Sequence, residues 1–471
     1  MEHMCFSDEN QMLKELTEKF SARNKPINPS AFERYNVKRG LRNQDGTGVM
    51  AGLTKICSVE GYYMDDGEKI PKEGRLVYRG LDFNDIVKGC QADDRFGFEE
   101  VVYLLIFGSL PTADEYGRFS RLLSENRELP QDFVEDVIMR APSPDIMNKM
   151  GSSINALYAY DEDPDDLSAE NVLRQSIRLI AQLPAIMTYA YQVKRRFFYK
   201  KSMYIHQVKP ELKAAESILH AIRSDKKFTD KEAKLLDLCL MIHADHGGGT
   251  NSTFTTRCVT STGTDTYAAI AAAIASLKGP RHGGASIKAA RMAQAIKEQV
   301  RDVRDDDEIA SCLRKIVHGE MGDGSGLIYG MGHAVYTLSD PRAVLLKANA
   351  RELATEKGFL DDWLLLDAVE RLTPAVFAEE KGVAKKMCAN VDLYSGLVYK
   401  SLGIPEDLYL PMFATARIVG WCAHRLEELS AGGRIMRPAY KNVALPKRYV
   451  PLAARVPDDG QTQDYIPRAE R

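Results

Sequence analysis

The sequence has no excess of charge of either sign and no long hydrophobic run. Its 471 residues contain 63 Lys and Arg against 66 Asp and Glu, a formal net charge of −3. Nucleic-acid-binding proteins generally carry a basic patch that meets the phosphates, so this balance argues against that class. The longest uncharged apolar run, YAAIAAAIASL from Tyr267, is well short of the roughly 20 residues that cross a membrane. The sequence therefore predicts neither nucleic-acid nor membrane partners.

Cysteine motifs and targeting signals are missing as well. The eight cysteines are scattered and include no CxxC pair. Cysteine in an apolar helical stretch behaves as a small hydrophobic residue. The chain starts with an acidic, amphipathic segment that lacks the basic start and apolar stretch of a signal peptide. We therefore expect a reduced protein in the cytoplasm.

A regular alternation of strands and helices, which would indicate a Rossmann-type sheet, is absent, and helix signals dominate from Leu81 onward. Thr112 with Glu115, and Thr229 with Glu232, form T-x-x-E capping boxes ahead of apolar runs. Only KICSVEGYYM and GRLVYRG favour strands, paired as a small ribbon across an Asp-Asp-Gly turn. The pattern predicts an all-α protein.

One helix break carries a histidine. The segment GPRHGGASIKAARM, which contains His282, separates an Ala-rich helical run from a second helical run. Gly and Pro destabilise a helix interior by roughly 1 and 3 kcal/mol relative to Ala, so this segment predicts a sharp corner. Glycines also let a ligand approach the backbone closely, and an imidazole can donate a hydrogen bond near neutral pH.

Further histidines lie beside glycines, in MIHADHGGGTNST and LIYGMGHAVY. The first segment allows a metal interpretation, because His243 and His246 would share a helix face and Asp245 would add an oxygen ligand. No HExxH glutamate follows, and further ligands cannot be named. The second segment, with His333, follows a G-x-G match from Gly322 that lacks the strand and helix of a nucleotide fingerprint.

The downstream half contains an acid and two arginines in unusual settings. Asp392 stands just before an apolar helical run in NVDLYSGLVYKSLGIP. It is either a helix cap or a base whose pKa is raised by apolar surroundings. Arg417 lies within the apolar FATARIVGW, and Arg437 lies in RIMRPAY. An arginine in an apolar helix requires an anion, either an internal carboxylate or that of a substrate.

Taken in order, HADH, GPRHGGA, GMGHAVYTLSDPRA, VDLYSGLVYKSLGIP, FATARIVGW and RIMRP resemble the citrate synthase family. The resemblance covers nearly everything after the first forty residues. It implies a two-domain helical homodimer with a small domain at residues 284–392 inserted in a large one formed by 41–283 and 393–471. Residues 1–40 would form an N-terminal helical arm, and the active site would lie between the domains.

The resemblance also implies a reaction, the joining of acetyl-CoA and oxaloacetate into citrate and free CoA without a metal or other cofactor. Asp392 would be the base that removes a proton from the thioester methyl, and His282 would donate a hydrogen bond to the thioester oxygen. His333 would polarise the oxaloacetate ketone and protonate the alkoxide. A weak carbon acid needs such a base together with stabilisation of the enol oxygen.

Further positions follow from the same match. The residues that would bind the oxaloacetate carboxylates are His246, Arg342, Arg417 and Arg437, and Arg437 would come from the partner subunit. Gly330 and Gly332 would lie against the adenine end of CoA.

Three alternatives stay open at the level of the sequence. A 2-methylcitrate synthase would use propionyl-CoA with the same residues, and one methylene in an apolar pocket gives only about 1–3 kcal/mol of discrimination. A metal-dependent hydrolase would be built on His243, Asp245 and His246. A catalytically inactive CoA-binding regulator is the third, although the set of Asp392, His282 and His333 is intact.

Overall fold

The computed structural model describes residues 6–24, 26–43, 45–382, 386–432 and 434–455. The chain separates into two compact units, one of residues 52–436 and one of the terminal segments 1–51 and 437–471. The predicted domain boundaries at residues 40, 283 and 392 stay a prediction. Parts of the predicted ranges lie outside the described residues, namely 1–5, 25, 44, 383–385, 433 and 456–471.

The terminal unit contains two helices, α1 (Phe6–Arg23) and α2 (Ser30–Arg34). Short 3₁₀ turns follow at Arg39–Leu41 and, in its second segment, at Leu452–Ala454. Within this unit the Lys441 ammonium lies 5.7 Å from the ring centre of Tyr35.

The main unit is built almost entirely from helices. They are α3 (Phe83–Ala92), α4 (Phe98–Phe107), α5 (Ala113–Glu125), α6 (Ile146–Leu157), α7 (Ala169–Phe197), α8 (Ala214–Ile222), α9 (Asp230–His243), α10 (Asn251–Thr260), α11 (Thr266–Lys278), α12 (Ala285–Gln299), α13 (Asp306–Val317), α14 (Pro341–Glu356), α15 (Leu360–Lys381), α16 (Val391–Ser401) and α17 (Tyr409–Ser430). Single turns of tighter or wider helix occur at Val134–Met139, Tyr158–Tyr160 and Glu406–Leu408. This composition confirms the all-α prediction. Among the described residues, no helix is both long enough and apolar enough to span a membrane.

The predicted ribbon is a β-hairpin of β1 (Cys57–Asp65) and β2 (Glu68–Tyr78), followed by the two-residue strand β3 (Leu81–Asp82). Asp66 and Gly67 at its tip both have positive φ, 45° and 83°, as a tight two-residue hairpin turn requires. The strand β2 begins six residues before the predicted GRLVYRG segment and includes Pro71. The pairing register shifts between Glu60 and Tyr62, close to that proline, which cannot donate to the ladder.

Both predicted capping boxes are present. The Thr112 side chain accepts a hydrogen bond from Glu115 N at the start of α5, and the Glu115 carboxylate accepts one from Thr112 N. Thr229 and Glu232 make the same reciprocal pair at the start of α9. Two otherwise unpaired N–H groups are thereby satisfied at each helix start. The second box matters for function because α9 ends at His243, in the HADH segment.

Helix α17 is the centre of the main unit. It packs against α4, α7, α9, α10 and α11. All its residues from Tyr409 to Arg425 except Phe413 are buried. A helix that is apolar all round is characteristic of the interior of a large protein. Two arginines and a histidine nevertheless lie within it, namely Arg417, His424 and Arg425. Each of these must find a polar partner inside the core.

Candidate active site

The predicted corner at His282 exists between α11 and α12. Helix α11 ends at Lys278 and α12 begins at Ala285, and the N–H of His282 donates to the carbonyl of Gly279 at 2.9 Å. A Cβ atom added to Gly283 would lie 2.4 Å from both the Leu277 carbonyl oxygen and Leu410 Cδ1. Only glycine fits there, so the chain can fold back tightly and leave the His282 side chain half-buried.

The protonation of His282 follows from its neighbours. Its Nε2 accepts a hydrogen bond from the Ser252 N–H at 3.2 Å and lies 3.0 Å from Ser252 Oγ. Burial, together with the charge of Arg417, lowers the pKa of His282 to about 4. The ring is therefore neutral at pH 7, and because Nε2 is an acceptor, Nδ1 carries the proton. His282 can donate one hydrogen bond to a ligand through Nδ1.

The ring of His333 has the opposite tautomer. Its Nδ1 accepts hydrogen bonds from the N–H groups of Val335 at 3.0 Å and Tyr336 at 3.1 Å. In the neutral ring the proton must then lie on Nε2. The ring stacks on Tyr336, with centroids 4.7 Å apart, and meets the ring of His246 edge-on at 5.2 Å. These contacts fix the direction of the Nε2–H.

The hairpin supports the loop after His333. A Cβ atom on Gly61 would lie 2.5 Å from the Val335 carbonyl oxygen, and one on Gly74 would lie 2.0 Å from that of Ser339. The N–H of Gly74 also donates to Ser339 Oγ at 3.0 Å. Both strands therefore press their backbones directly against the loop that orients the histidine.

His246 Nε2 and Arg417 Nη2 are buried nitrogen atoms for which the described residues supply no partner, and Asp245 Oδ1 is an acceptor in the same condition. Both nitrogen atoms are inaccessible to solvent. Arg417 is only 1% exposed, and its Nε donates to the His243 carbonyl at 2.6 Å. Burial, followed by the charges of Arg342 and His333, lowers the pKa of His246 well below its usual value. Unsatisfied buried donors of this kind are costly, and a bound anion would satisfy them.

Arg342, at the start of α14, is already partly paired. Its Nε and Nη2 donate to the two carboxylate oxygens of Asp340 at 3.0 and 2.7 Å. Asp340 also accepts the Arg342 N–H and so caps the helix. The guanidinium lies 5.8 Å from the ring centre of Tyr336. Asp340 therefore holds the edge of Arg342 that is formed by Nε and Nη2.

Asp392 lies in the first turn of α16, where Asn390 is the N-cap. Asn390 Oδ1 accepts the Asp392 N–H at 3.0 Å, while Asn390 Nδ2 donates to the Gly332 carbonyl at 2.8 Å. Its own N–H donates to the carbonyl of Gly330 at 2.8 Å. Asn390 therefore ties the helix of the acid to the loop that carries Gly330, Gly332 and His333.

The glycines of that loop are required by its geometry. Gly330 has φ of +84°, and a Cβ there would lie 2.8 Å from Leu393 Cα, one residue beyond the acid. Gly332 has φ of +85°, and its N–H donates to the Cys388 carbonyl at 2.8 Å. The loop can therefore lie directly against the start of α16.

The carboxyl of Asp392 has an altered acidity. Burial raises its pKa to about 6, with Arg342 lowering and Asp340 raising the value, so burial outweighs the nearby arginines. A carboxyl that titrates near 6 is a stronger base than an ordinary aspartate and still ionised at pH 7. The charge of Arg417 acts on the pKa values of both Asp392 and His282, so the base and the neutral donor each lie near this arginine.

The residues of the metal interpretation do not converge. His243 Nδ1 lies 2.8 Å from the carbonyl of Cys239, and its ring packs against Phe413. Asp245 instead contacts His424, with Oδ2 3.2 Å from Nε2. Within the described ranges, no group of three or more His, Cys, Asp or Glu side chains is arranged to hold a metal ion. The geometry gives the hydrolase alternative no support.

Arg437 belongs to the terminal unit, where it is exposed. Its role at a partner's site stays a prediction.

Several polar residues of the site were not predicted from the sequence. Asn390 could have been found, because Asn directly before an apolar helix is a typical N-cap. Ser252, which contacts His282 from 30 residues away, and the Asp245–His424 pair, 179 residues apart, have no local signal.

Comparison with known proteins identifies the family to which this chain is similar. Residues 43–439 match the family profile described as "Citrate synthase, C-terminal domain". The citrate synthase of Corynebacterium glutamicum is 32% identical, with 83% of this chain and 87% of that protein covered. The 2-methylcitrate synthase of Shewanella oneidensis is 31% identical, with 81% and 92% covered. A Thermoplasma acidophilum citrate synthase, solved with carboxymethyl coenzyme A and oxaloacetate, superposes with a TM-score of 0.71 at 26% identity, covering 89% of this chain and 99% of that one.

The raised pKa of Asp392 has a consequence for stability. Its folded pKa of about 6 exceeds the ordinary 3.8, so the folded state binds this proton more tightly. That contribution is complete below pH 4 and is lost as the pH rises through 6. Asp392→Asn should therefore stabilise the protein at pH 7.5 by on the order of 2–3 kcal/mol, as an increase in Tm that disappears towards pH 4.

The matched control is Asp114→Asn, in the first turn of α5, where the side chain is 77% exposed. It should leave the Tm nearly unchanged. A Tm for Asp392→Asn at or below that of the wild type at pH 7.5 would mean that burial does not raise the pKa of this carboxyl.

Proposed function

The chain belongs to the citrate synthase family, and from that premise we propose that it condenses acetyl-CoA with oxaloacetate to give citrate and free CoA. Such an enzyme is an acyltransferase that converts the acyl group to an alkyl group on transfer. The observation that carries the proposal is the pair of unpartnered buried atoms, His246 Nε2 and Arg417 Nη2, near a carboxyl with a pKa of about 6. A small dianion and a carbon acid are the substrates that this combination suits.

Oxaloacetate supplies the missing anion. One carboxylate would accept hydrogen bonds from Arg417 Nη2 and His246 Nε2, which lack partners among the described residues. The second would bind Arg342 through Nη1, since the Nε and Nη2 of this arginine are bonded to Asp340. Charge-assisted bonds to arginine orient a carboxylate and neutralise it, so the ketone carbon would be held in one position.

Asp392 and His282 would form the enol of acetyl-CoA. The Asp392 carboxylate takes a proton from the methyl carbon next to the thioester, and the electron pair moves onto the thioester oxygen. His282 Nδ1–H donates a hydrogen bond to that oxygen. The low pKa of His282, about 4, supports this role because a neutral donor keeps its proton while it stabilises the developing charge.

His333 would act on the second substrate. Its Nε2–H donates to the ketone oxygen of oxaloacetate, which polarises the carbonyl as the enol carbon attacks. The resulting alkoxide takes the Nε2 proton. Two N–H donors on Nδ1, from Val335 and Tyr336, stabilise the electron density left on the ring and make this transfer easier. Water then cleaves the citryl thioester to citrate and CoA, and the starting protonation is restored when Asp392 releases its proton to solvent and His333 takes one up.

No metal or other cofactor enters this scheme, because chain residues carry out each proton transfer and acyl-CoA is a substrate. Gly330 and Gly332 would contact the adenine end of CoA. Their positive φ values and the missing side chains support this, since a ligand can lie directly on the backbone of the loop.

The oligomer and the location are part of the same proposal. We place the enzyme in the cytoplasm, where the free cysteines of the described residues remain reduced. We propose a homodimer in which Arg437 of one chain contacts oxaloacetate bound to the other. Asp340 neutralises much of the positive charge of Arg342, so within one chain Arg417 would supply most of the positive charge that faces the two carboxylates of oxaloacetate. This charge imbalance supports a further cation at the site.

The acyl donor is tested by comparing acetyl-CoA with propionyl-CoA. We expect release of the CoA thiol with oxaloacetate and either donor, with the higher kcat/KM for acetyl-CoA. Both assays are run at matched concentrations with excess chelator. A higher value for propionyl-CoA would identify a 2-methylcitrate synthase, and no turnover with either donor would support the inactive regulator.

Asp392→Asn tests the base. We expect kcat to fall by about 10²–10⁴-fold, the usual contribution of general-base catalysis. Oxaloacetate affinity, measured by calorimetry, should stay close to that of the wild type. In the wild type, the rate should fall as the pH drops through about 6, where Asp392 becomes protonated. A variant that keeps more than about a tenth of the rate would require another base.

Arg437 can be tested by mixing two inactive variants. Asp392→Ala and Arg437→Leu are co-expressed with different tags, and the mixed dimer is purified. If each site combines Asp392 of one chain with Arg437 of the other, one site receives both changes and the second receives neither. The purified mixed dimer should therefore have about half of the wild-type activity, and an unfractionated equal mixture about a quarter. A purified mixed dimer as inactive as its parents would show that Arg437 does not act across the interface.

A further inference from the structure

Three consecutive residues of the HADH segment are bonded to one face of α17. Arg417 Nε donates to the His243 carbonyl at 2.6 Å, and the Gly420 N–H donates to the Ala244 carbonyl at 3.0 Å. His424 Nε2 lies 3.2 Å from Asp245 Oδ2. Positions 417, 420 and 424 are spaced by three and four residues, so they lie on one helix face. The segment is held to the core helix residue by residue.

Gly420 permits the close approach. A Cβ atom there would lie 2.3 Å from Asp245 Oδ1 and 2.7 Å from the Ala244 carbonyl oxygen. The first atom ends a short side chain whose other oxygen is held by Gly247 and His424, and the second belongs to the backbone, so neither can move freely. A glycine in the middle of a long helix costs about 1 kcal/mol relative to alanine. Here the cost is offset by the contact between α17 and the segment.

The Asp245 carboxylate is the polar centre of this contact. Its Oδ2 also accepts the Gly247 N–H at 3.0 Å, which closes a turn around His246. Burial raises its pKa, but His424 and Arg417 outweigh burial and lower it to about 2. The carboxylate is therefore charged at all physiological pH values, and it fixes the backbone on both sides of His246.

The orientation of the His424 ring is set by Arg257, which binds the ring nitrogen that does not contact Asp245. Arg257 Nε donates to His424 Nδ1 at 3.1 Å, so the ring proton lies on Nε2 and points at Asp245. Arg257 is held in turn by Glu428, with Nη1 to Oε2 at 2.8 Å, and by Glu427. A chain of polar contacts therefore runs from the two glutamates through Arg257 and His424 to Asp245. His246 follows Asp245 directly in the sequence.

We propose that Gly420 and His424 are positioning residues for oxaloacetate. They hold the 243–247 turn against α17 so that His246 Nε2 and Arg417 Nη2 meet the same carboxylate. Arg417 serves both purposes, because its Nε holds the turn and its Nη2 has no partner among the described residues and could bind the carboxylate. This inference rests on the proposed function and adds to it two residues that do not touch the substrate.

The test separates positioning from general stability. His424→Leu removes both hydrogen bonds, and we expect the KM and the calorimetric Kd for oxaloacetate to rise about tenfold or more. The KM for acetyl-CoA should change by less than about twofold, since among the described residues no hydrogen bond joins Asp392 or His282 to Gly420 or His424. His424→Gln keeps one acceptor and one donor, and should return oxaloacetate affinity to within about threefold of the wild type.

Gly420→Ala tests the same contact with a single added methyl group and should weaken oxaloacetate binding selectively. The matched control is Thr415→Val, at a residue that is also buried on α17. Among the described residues, its hydroxyl donates a hydrogen bond to Met187 Sδ. This control should leave both KM values unchanged. If the leucine variant does not fold, His424→Gln is compared with His424→Asn, whose shorter amide cannot reach Asp245.

Two results would overturn the inference. One is an unchanged oxaloacetate Kd in the folded His424 and Gly420 variants. The other is a parallel loss of affinity for both substrates, or an equal loss in Thr415→Val, which would indicate general damage to α17. A wild-type protein that neither binds oxaloacetate nor turns over would instead contradict the proposed function.

Discussion

The arrangement depends on placing a charged guanidinium, that of Arg417, inside a helix that is buried along nearly its whole length. A buried charge without a partner costs several kcal/mol, so the surrounding chain must supply acceptors or leave space for an anion. The structure does both, because the His243 carbonyl takes one N–H and another is left unpaired among the described residues. The HADH turn, the Asp245 carboxylate and the glycine at position 420 all follow from this one requirement.

Burial and the charges around Arg417 also set the protonation of the proposed catalytic groups. Burial and nearby arginines keep the imidazoles of His246 and His282 neutral, while burial and the charge of Asp340 make the Asp392 carboxyl less acidic despite those arginines. Neutral donors and a strengthened base therefore coexist in one pocket. Opposite shifts of this kind assign acid and base roles in a site without reference to sequence motifs.

The extent to which the sequence predicts this structure differs by type of feature. Local features could be predicted, because each depends on residues close in sequence: the corner at His282, the capping boxes and the tight hairpin turn. The membership of Asp392 and Arg417 in one site came from the family resemblance, since a charged residue in an apolar run shows only that a partner exists. The identity of that partner is a long-range property. Asp245 and His424 are 179 residues apart, and nothing near either residue indicates the other.

Asn390 joins parts of the site that would otherwise be separate. Its side-chain oxygen caps the start of α16 at Asp392, and its two N–H donors bind the carbonyls of Gly330 and Gly332 in the loop. A ligand that shifts this loop must therefore also shift the start of α16, which carries Asp392. Binding at the loop and the ionisation of Asp392 are then thermodynamically linked, and such linkage is reciprocal. An acyl-CoA that changes the proton affinity of Asp392 must have its own affinity changed by protons to the same extent, so its binding would be accompanied by net proton uptake or release.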